Sequence, residues 1–405
     1  MAPMVVPLSR PGLREVNREQ ILRTILRNGP LARVDLAHLV GLTTAAISNI
    51  TRELIEDGLL YEVGTARGKR VGASAILLDM PEDTLTLGVV HQGVSALRIA
   101  LSTLRGHLIA RCIIATPTAY APEWAATTIA HTLRNLIEQH GYQQSRLVGV
   151  GAGLVGLIDA QMGVVKRAPR LGWENVPLGA LLAQELHCPV AIENNVRAMA
   201  FGEALLGEGR DKPDFAFVYV GTGIGSGLII NGRPYRGAYG GAGEIGHITI
   251  VPNGERCSCG NDGCLETIAA EPAIVRRMQT HGLVLNSAGG TKETVQALAT
   301  LARQGDSLAQ SIVIECGESL GVALATLVDL FNPERIVLHG AIAEAGDIFF
   351  SSVARTLQQR AFSTRNEAVE LVAPTFGIDA GLIGAAAIAL DTLVLTPGRI
   401  LAERD

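Results

Sequence analysis

Four residues in one short segment have the types and the spacing of a metal site. The segment reads H-x9-C-x-C-x4-C through His247, Cys257, Cys259 and Cys264. Three thiolates and one imidazole form the closed tetrahedral set of a structural zinc site, whereas a catalytic zinc keeps an open position and has fewer thiolates. We therefore predict one structural Zn²⁺ per chain, held by a zinc loop over residues 247–264. The alternative is a glycine-rich loop with three reduced cysteines beside a core histidine.

A second segment that could bind a ligand is rich in glycine. Residues 221–227 read GTGIGSG, which contains a GxGxxG-like string. The dinucleotide-binding interpretation of such a string needs a strand before it and a helix after it. Strand patterns flank this string on both sides, so we predict a hairpin instead. Its glycines would let backbone N–H groups approach a phosphate or a sugar.

The N-terminal 80 residues predict three short helices followed by a hairpin. Apolar residues recur at helical spacing in NREQILRTILRNGP, RVDLAHLV and LTTAAISNITRELIEDG. The last two are joined at Gly41-Leu42, and Thr43 or Thr44 is expected to N-cap the third, which suits a helix-turn-helix. The hairpin LLYEVGTARGKRVGASAILLDM has a basic tip, as a wing does.

Small polar residues and an arginine on the third helix are the types that read base edges in a major groove. We predict DNA contacts from this helix and from the wing tip. The residues are Thr43, Thr44, Ala45, Ser48, Asn49 and Arg52 on the helix and Arg67, Lys69 and Arg70 on the wing. The alternative is a three-helix protein-interaction module with an ordinary charged hairpin.

The rest of the chain contains a repeated pattern of strands and helices. Three hairpin-connected strands, a helix and a buried strand are predicted from residue 85 onward, and the same order returns about 130 residues later. The repetition predicts two homologous lobes with a cleft between them. A last apolar helix over residues 380–392 could return to the first lobe.

Composition indicates a globular protein of more than one domain. The chain has 405 residues, 48% hydrophobic and 18% charged, with a net charge of −5. Residues 1–80 carry 10 Lys and Arg against 8 Asp and Glu, whereas the remainder carries 24 against 31. A basic head on an acidic body indicates that only the head meets a polyanion. The other cysteines, Cys112, Cys188 and Cys316, are expected in the core.

Neither a membrane span nor a signal peptide is expected. The longest apolar run, from Gly381 to Leu395, is interrupted by Asp391 and falls short of the roughly 18 residues of a span. The first residues lack the basic and apolar regions of a signal peptide. We therefore expect a soluble, cytoplasmic protein.

With these motifs in place, the sequence resembles the ROK family (repressors, open reading frames and sugar kinases). It is most similar to the branch of winged-helix transcriptional regulators that includes the N-acetylglucosamine and xylose repressors. The resemblance rests on the helix-turn-helix, on GTGIGSGLIINGRPYRGAYGGAGEIGH and on CSCGNDGCLE, and it covers essentially the whole chain. It implies an α/β fold: a winged helix-turn-helix, then a two-lobed actin-like (ribonuclease H-like) body with an inserted zinc loop.

The resemblance also implies domain boundaries and a sugar site. The expected parts are residues 1–80 as the winged helix-turn-helix, 83–195 with the C-terminal helix 380–395 as the first lobe, and 196–379 as the second lobe with the zinc loop. The family's sugar contacts correspond here to Gly156, Asn194, Asn195, Glu244, His247 and Glu266. His247 can serve twice, with one ring nitrogen on zinc and the other on a sugar hydroxyl.

Three departures from the kinases of this family argue against catalysis. The kinases have an Asp as general base where this chain has Asn195, an amide without basicity near neutral pH. Their phosphate motif D-x-G-G-T corresponds to VHQGV at residues 90–94, so its Asp is Val90. Their adenosine-proximal Gly-Gly corresponds to His339-Gly340. We therefore expect no enzyme.

The sequence as a whole predicts a sugar-responsive transcriptional regulator, a repressor, of carbohydrate-metabolism genes. Its expected partners are a pseudo-palindromic double-stranded DNA operator, a sugar or sugar derivative, and a second copy of the chain in a homodimer or larger homo-oligomer. Two alternatives stay open. One is a sugar kinase with residual ATP-dependent activity, and the other is a regulator controlled by a protein partner.

Overall fold

The computed structural model describes residues 12–67, 74–82, 84–207, 209–285, 289–362 and 369–396. Its N-terminal part is a winged helix-turn-helix. The elements in chain order are α1 (Leu13–Asn28), β1 (Leu31–Ala32), α2 (Arg33–Val40), α3 (Thr44–Glu56), β2 (Tyr61–Arg67) and β3 (Ser74–Asp79). The three strands form one antiparallel sheet in the order β1-β3-β2. The three predicted helices and the two predicted wing strands are all present.

Local signals explain the turn between α2 and α3. Gly41 has φ +74°, a left-handed conformation that ends α2 and that glycine adopts without strain. The hydroxyl of Thr43 accepts a hydrogen bond from the backbone N of Ala46 at 3.2 Å, so Thr43 caps α3. The apolar stripe of α1 is buried as its periodicity predicts, at Ile21, Leu22, Ile25 and Leu26.

The first lobe is built on a five-stranded mixed sheet with the order β11-β7-β4-β5-β6. A small antiparallel sheet, β10-β9-β8, lies beside it. The elements are β4 (Thr86–Gln92), β5 (Ala96–Thr103), β6 (Leu108–Ala115), α4 (Pro122–Gln139), β7 (Leu147–Leu154), β8 (Leu157–Asp159), β9 (Val164–Ala168), β10 (Trp173–Val176), α5 (Leu178–Leu186) and β11 (Val190–Asn194). The helix α6 (Asn195–Leu206) then leads to the second lobe.

The second lobe is built on a sheet with the order β14-β13-β12-β15-β16. Its elements are β12 (Phe215–Val220), β13 (Ile224–Ile230), β14 (Arg233–Tyr235), α7 (Glu266–Ala269), α8 (Glu271–Thr280), α9 (Thr291–Arg303), α10 (Ser307–Phe331), β15 (Arg335–Gly340), α11 (Asp347–Arg360) and β16 (Glu370–Val372). Then come α12 (Ala380–Ala389) and a π-helical stretch, Leu390–Leu395.

The two five-stranded sheets repeat one topology. In the first, β4 pairs antiparallel with β5 and parallel with β7. In the second, β12 pairs antiparallel with β13 and parallel with β15. Strand for strand, the two orders are equivalent. The predicted duplication of the β-β-β-α-β pattern is therefore confirmed, and α6, which packs on both β7 and β13, lies between the two lobes.

The last helix returns to the first lobe, and its small residues let it approach closely. All ten residues of α12 are buried. A Cβ at Gly151 of β7 would lie 2.1 Å from the Ala385 oxygen. A Cβ at Gly384 would lie 2.5 Å from the Ala198 carbonyl in α6. The stretch Leu390–Leu395 then packs with α1, so the head and the first lobe share one apolar core.

Two helical stretches are long and apolar enough to cross a membrane by length and composition, Ser307–Phe331 and Gly377–Leu395. Their most apolar windows are 61% and 78% buried inside the protein, respectively. Their apolar character therefore reflects their position in the core of the body.

Candidate functional site

The four predicted metal ligands lie together. Their ligand atoms are all within 4.8 Å of one another. The Sγ atoms of Cys259 and Cys264 are 3.7 Å apart, and Cys257 Sγ is 3.6 Å from Nδ1 of His247. In a tetrahedral site with metal–sulfur bonds of about 2.3 Å, neighbouring ligand atoms are about 3.8 Å apart. The cluster therefore fits a metal ion, and Nδ1 is the ring nitrogen of His247 that faces it.

The chain of the zinc loop folds tightly around this cluster. A 3₁₀ turn over Ile245–His247 presents the histidine, and Cys264 pairs with Thr249 in an isolated antiparallel bridge. Gly263 has φ +67°, and a Cβ there would lie 1.6 Å from the Val251 oxygen, so only glycine fits. Cys257 and Cys264 are buried and Cys259 is exposed.

The predicted sugar-binding residues fall into two subsets. In the first, Asn194 ends β11, and its Nδ2 donates to the Gly156 oxygen at 3.0 Å. The Oδ1 of Asn194 caps α6 by accepting from the backbone N atoms of Val196 and Arg197 at 3.0 and 3.1 Å. Asn195, the first residue of α6, accepts from Val196 N at 2.9 Å through its own Oδ1. The amides of this subset are thus held in fixed orientations.

The second subset consists of Glu244, His247 and Glu266. Burial raises the pKa of the Glu244 carboxyl, His247 and Arg197 lower it, and the nearby Glu266 raises it again. The Oε2 of Glu266 accepts from the backbone N of Ile224, at 3.1 Å, in the glycine-rich hairpin. That string of glycines begins in the turn between β12 and β13 and continues into β13, so it is part of a hairpin, as predicted. The carboxylates, the imidazole and the hairpin backbone are therefore close to one another.

Two histidines with desolvated rings lie in the segments that correspond to kinase motifs, His91 in VHQGV and His339 in His339-Gly340. Burial lowers the pKa of His91 to about 4, and repulsion from Arg98, His339 and Lys292 adds to the shift. Burial likewise lowers the pKa of His339 to about 4. The His339 ring lies 5.4 Å from that of Tyr219, and Nδ1 of His91 has no hydrogen-bond partner within the described ranges.

These histidines predict an acid-sensitive fold. In the unfolded chain both regain an ordinary pKa near 6.5, so the unfolded state takes up protons first as the pH falls. The stability they contribute is present above about pH 6.5 and is lost between about pH 6.5 and 4. We expect His91→Gln to reduce the loss of unfolding free energy between pH 7.5 and 5 by about 2 kcal/mol. Urea unfolding at both pH values measures it, with the exposed His107→Gln as control. Identical losses in the wild type and in His91→Gln would contradict the assignment.

The predicted DNA-contacting helix presents an accessible polar face. Thr43, Thr44, Ala45, Asn49 and Arg52 are exposed, and Ser48 is half-buried. A guanidinium N–H of Arg52 donates to the Asn49 Oδ1 at 3.2 Å. On the wing, Lys69 and Arg70 lie outside the described residues, as does the side chain of Arg67. Their predicted contacts remain predictions.

Sequence reasoning missed the charged residues next to the sugar subset. Glu193 and Arg197 flank Asn194, and Arg236 meets Glu193 from the second lobe. The signal for them was a glutamate at the end of an apolar strand and an arginine four residues later, in the first turn of the following helix. The short strands β8–β10 and α5 were missed as well.

A winged helix-turn-helix joined to a duplicated, sugar-kinase-like body with a Cys/His cluster defines a class of protein in which a DNA-binding head precedes a two-lobed body. Residues 14–61 match the winged helix-turn-helix DNA-binding family, and residues 87–392 match the ROK family. The chain belongs to the ROK family.

Its relatives include named repressors. The chain is 31% identical to the xylose repressor of Caldicellulosiruptor bescii, over 86% of this chain and 89% of that one. It is 32% identical to the DNA-binding transcriptional dual regulator NagC of Escherichia coli, over 86% of each. Among solved structures, a ROK family transcriptional regulator described as a homologue of the E. coli MLC protein superposes with a TM-score of 0.81. That match is 27% identical and covers 95% of this chain and 98% of the other.

Proposed function

We propose that this protein is a cytoplasmic transcriptional repressor of carbohydrate-metabolism genes that is released from its operator by a sugar or sugar derivative. The observation that carries the proposal is that one chain joins a sugar-kinase-like body to α3, the helix with the exposed polar face, and that its relatives are named repressors. We call α3 the reading helix. The proposed domain boundaries are those predicted above.

The proposed effector site lies between the two lobes. The first lobe contributes Gly156, Asn194 and Asn195, and the second contributes Glu244, His247 and Glu266. Carboxylates, amides and an imidazole accept and donate hydrogen bonds at fixed angles, which is what recognition of sugar hydroxyls needs. Zinc, when bound, would fix the four ligands in place. With Nδ1 on the metal side, His247 keeps Nε2 for a hydroxyl.

We also propose that the protein has no kinase activity. Asn195 stands where a general base is needed, and its Oδ1 is already bonded to a backbone N–H. In the VHQGV segment the buried Gln92 donates to the Tyr120 hydroxyl at 2.8 Å and accepts from the Val155 backbone N at 3.1 Å. The side chain that replaces the first glycine of the family motif therefore makes hydrogen bonds within the protein.

An ionic cluster links the head to both lobes and supports a mechanical response. Glu19 and Arg23 of α1 meet Asp391 of the C-terminal stretch and Arg233 of β14. Arg233 Nη1 lies 2.9 Å from Asp391 Oδ1, and Arg23 Nε lies 2.8 Å from Glu19 Oε1. Burial alone would raise the pKa of Glu19, but Arg23 and Arg233 lower it. A movement of the second lobe against the first would therefore pull on α1.

We propose that sugar binding changes the spacing of two heads in a dimer. Two half-sites of a pseudo-palindromic operator are about 34 Å apart, so heads at another spacing no longer match both. A ligand shifts this equilibrium only by its differential affinity for the two conformers.

The link through Arg233 predicts an uncoupling variant. Arg233→Gln removes the contact from the second lobe while Arg23 still binds Asp391. We expect operator affinity and sugar affinity each within about twofold of wild type, but a sugar-induced release weakened about fivefold or more, since allosteric coupling is about 1–3 kcal/mol. Fluorescence anisotropy of an operator fragment with and without sugar measures it. Arg355→Gln, which breaks an exposed ion pair with Glu318, is the control. Undiminished release in Arg233→Gln would rule out this route of coupling.

The test of the proposed function is a pull-down of genomic DNA fragments at near-physiological salt, followed by sequencing. Nonspecific binding fades steeply with salt, so retained fragments report base readout. We expect a few enriched pseudo-palindromes that a sugar elutes, and their loss in Asn49→Ala/Arg52→Ala. ATP-dependent phosphorylation of a sugar would instead support the kinase alternative. Operator binding that ignores sugars but is relieved by a cell extract would support a protein partner.

A further inference from the structure

A buried ionic network lies at the point where the chain passes from the first lobe to the second. The carboxylate of Glu193 is fully buried, and the Arg197 side chain is 2% exposed. Glu193 Oε1 accepts from Arg197 Nη1 at 2.7 Å and from the Asn194 backbone N at 2.9 Å. Glu193 Oε2 accepts from Arg236 Nε at 2.7 Å. Both oxygens are therefore satisfied by charge-assisted or backbone hydrogen bonds.

The second terminal nitrogen of Arg197 reaches the other wall of the proposed site. Its Nη2 donates to the backbone oxygens of Gly240 and Ala242, at 2.9 and 3.4 Å. These carbonyls belong to the segment 236–243, which leads directly into Glu244. The segment is pressed against the first lobe, because a Cβ at Gly240 would lie 2.7 Å from the Ile158 oxygen. One guanidinium thus spans from the residue beside Asn194 to the segment that carries Glu244.

The geometry suits arginine and no other side chain. A planar guanidinium offers parallel donors in a fixed fork, so Arg197 can bond the carboxylate and the carbonyls at once. A lysine has a single nitrogen and cannot span both. Buried ionic networks are weak as sources of stability, and their best-attested use is to fix one arrangement among alternatives. The charge of Arg197 also acts on Glu244, whose pKa it lowers against the effect of burial.

We propose that Arg197, together with Glu193 and Arg236, is a positioning residue that sets the distance between Asn194 and Glu244 and thereby the affinity for the sugar effector. This inference rests on the proposed function for its ligand. The restraint that Arg197 places on residues 236–243, which we call the clamp, can be tested without a ligand.

The test uses the full chain with Arg197→Lys. Hydrogen–deuterium exchange should show faster exchange over residues 236–247 than in the wild type, with the reading helix unchanged. The affinity for whichever of D-xylose, N-acetylglucosamine and D-glucose binds the wild type should fall about 10- to 100-fold, as expected for lost hydrogen bonds to charged groups. Operator affinity should stay within about twofold, which a general loss of structure would not allow.

Two further variants keep the outcome interpretable. Arg335→Lys replaces another buried arginine, whose partners are Glu370 and Asp211, and it should leave both readouts unchanged. Arg236→Gln removes only the more exposed arm of the network and should weaken sugar binding severalfold. It is the variant that tests the inference if Arg197→Lys does not fold. Unchanged exchange over 236–247, or unchanged sugar affinity in a folded Arg197→Lys or Arg236→Gln, overturns the inference. If the wild type binds none of the sugars, the effector role falls with the proposed function, and the exchange data alone decide the clamp.

Discussion

Replacing Glu244 by alanine is expected to abolish the sugar response while leaving operator affinity within about twofold of wild type. Glu244 precedes the turn that presents His247, and its side chain is accessible from solvent and close enough to Arg197 and Glu266 for their charges to act on it. A hydrogen bond to a charged acceptor contributes about 1.5–3 kcal/mol, so its loss weakens binding about 10- to 150-fold for each hydroxyl it serves. The reading helix α3 makes none of these contacts.

Operator-bound fraction against sugar concentration measures this effect. Glu255→Ala is the matched control, because Glu255 is an exposed carboxylate of the zinc loop that pairs with Arg276 at 2.8 Å. Glu244→Gln should fall between the alanine variant and the wild type, since it keeps one acceptor oxygen. Wild-type sugar sensitivity in Glu244→Ala would disprove the site assignment.

Cys264→Ser should remove the metal and the sugar response together. Cys264 is buried, its Sγ lies 3.7 Å from that of Cys259, and it precedes Glu266 by two residues. Metal binding and folding of the loop are coupled in closed Cys/His sites. Losing one thiolate should therefore release the ion and loosen the segment between Glu244 and Glu266. We expect a melting temperature lower by about 10 °C, given about 2–4 °C for each kcal/mol.

Metal content by mass spectrometry and thermal unfolding check this prediction. The wild type should contain one zinc per chain, and Cys264→Ser less than a tenth of that. Cys112→Ser, which changes a half-buried cysteine of β6, should keep its zinc. A wild type that binds no zinc under reducing conditions, or a serine variant with full occupancy, would favour three unmetallated thiols in a glycine-rich loop.

Features that depend on local chemistry were predictable from the sequence. The four metal ligands lie within 18 residues, so their types and spacing were enough to predict that they cluster. The turn at Gly41 and the cap at Thr43 each follow from the backbone conformation and hydrogen bonding that one residue favours. The duplicated topology was visible because each lobe repeats one order of strands.

Features that depend on distant partners were not predictable. Arg197 donates to carbonyls more than 40 residues away, and nothing in the sequence distinguishes the carbonyls of Gly240 and Ala242 from those of other residues. The ionic cluster joins Glu19 to Arg233 and Arg23 to Asp391 across most of the chain. β8 and β9 are only three and five residues long, too short for periodicity to show.

The apolar core shared by α1 and the stretch Leu390–Leu395 joins two segments that are far apart in the sequence. During translation the head therefore leaves the ribosome long before its packing partner exists. The central strands β4 and β7 likewise lack a packing partner until α12 has been synthesised. A transcript truncated upstream of residue 380 would yield a head without its ionic and apolar anchor on the body. The head can therefore be seated on the body only after the stretch Leu390–Leu395 has been translated.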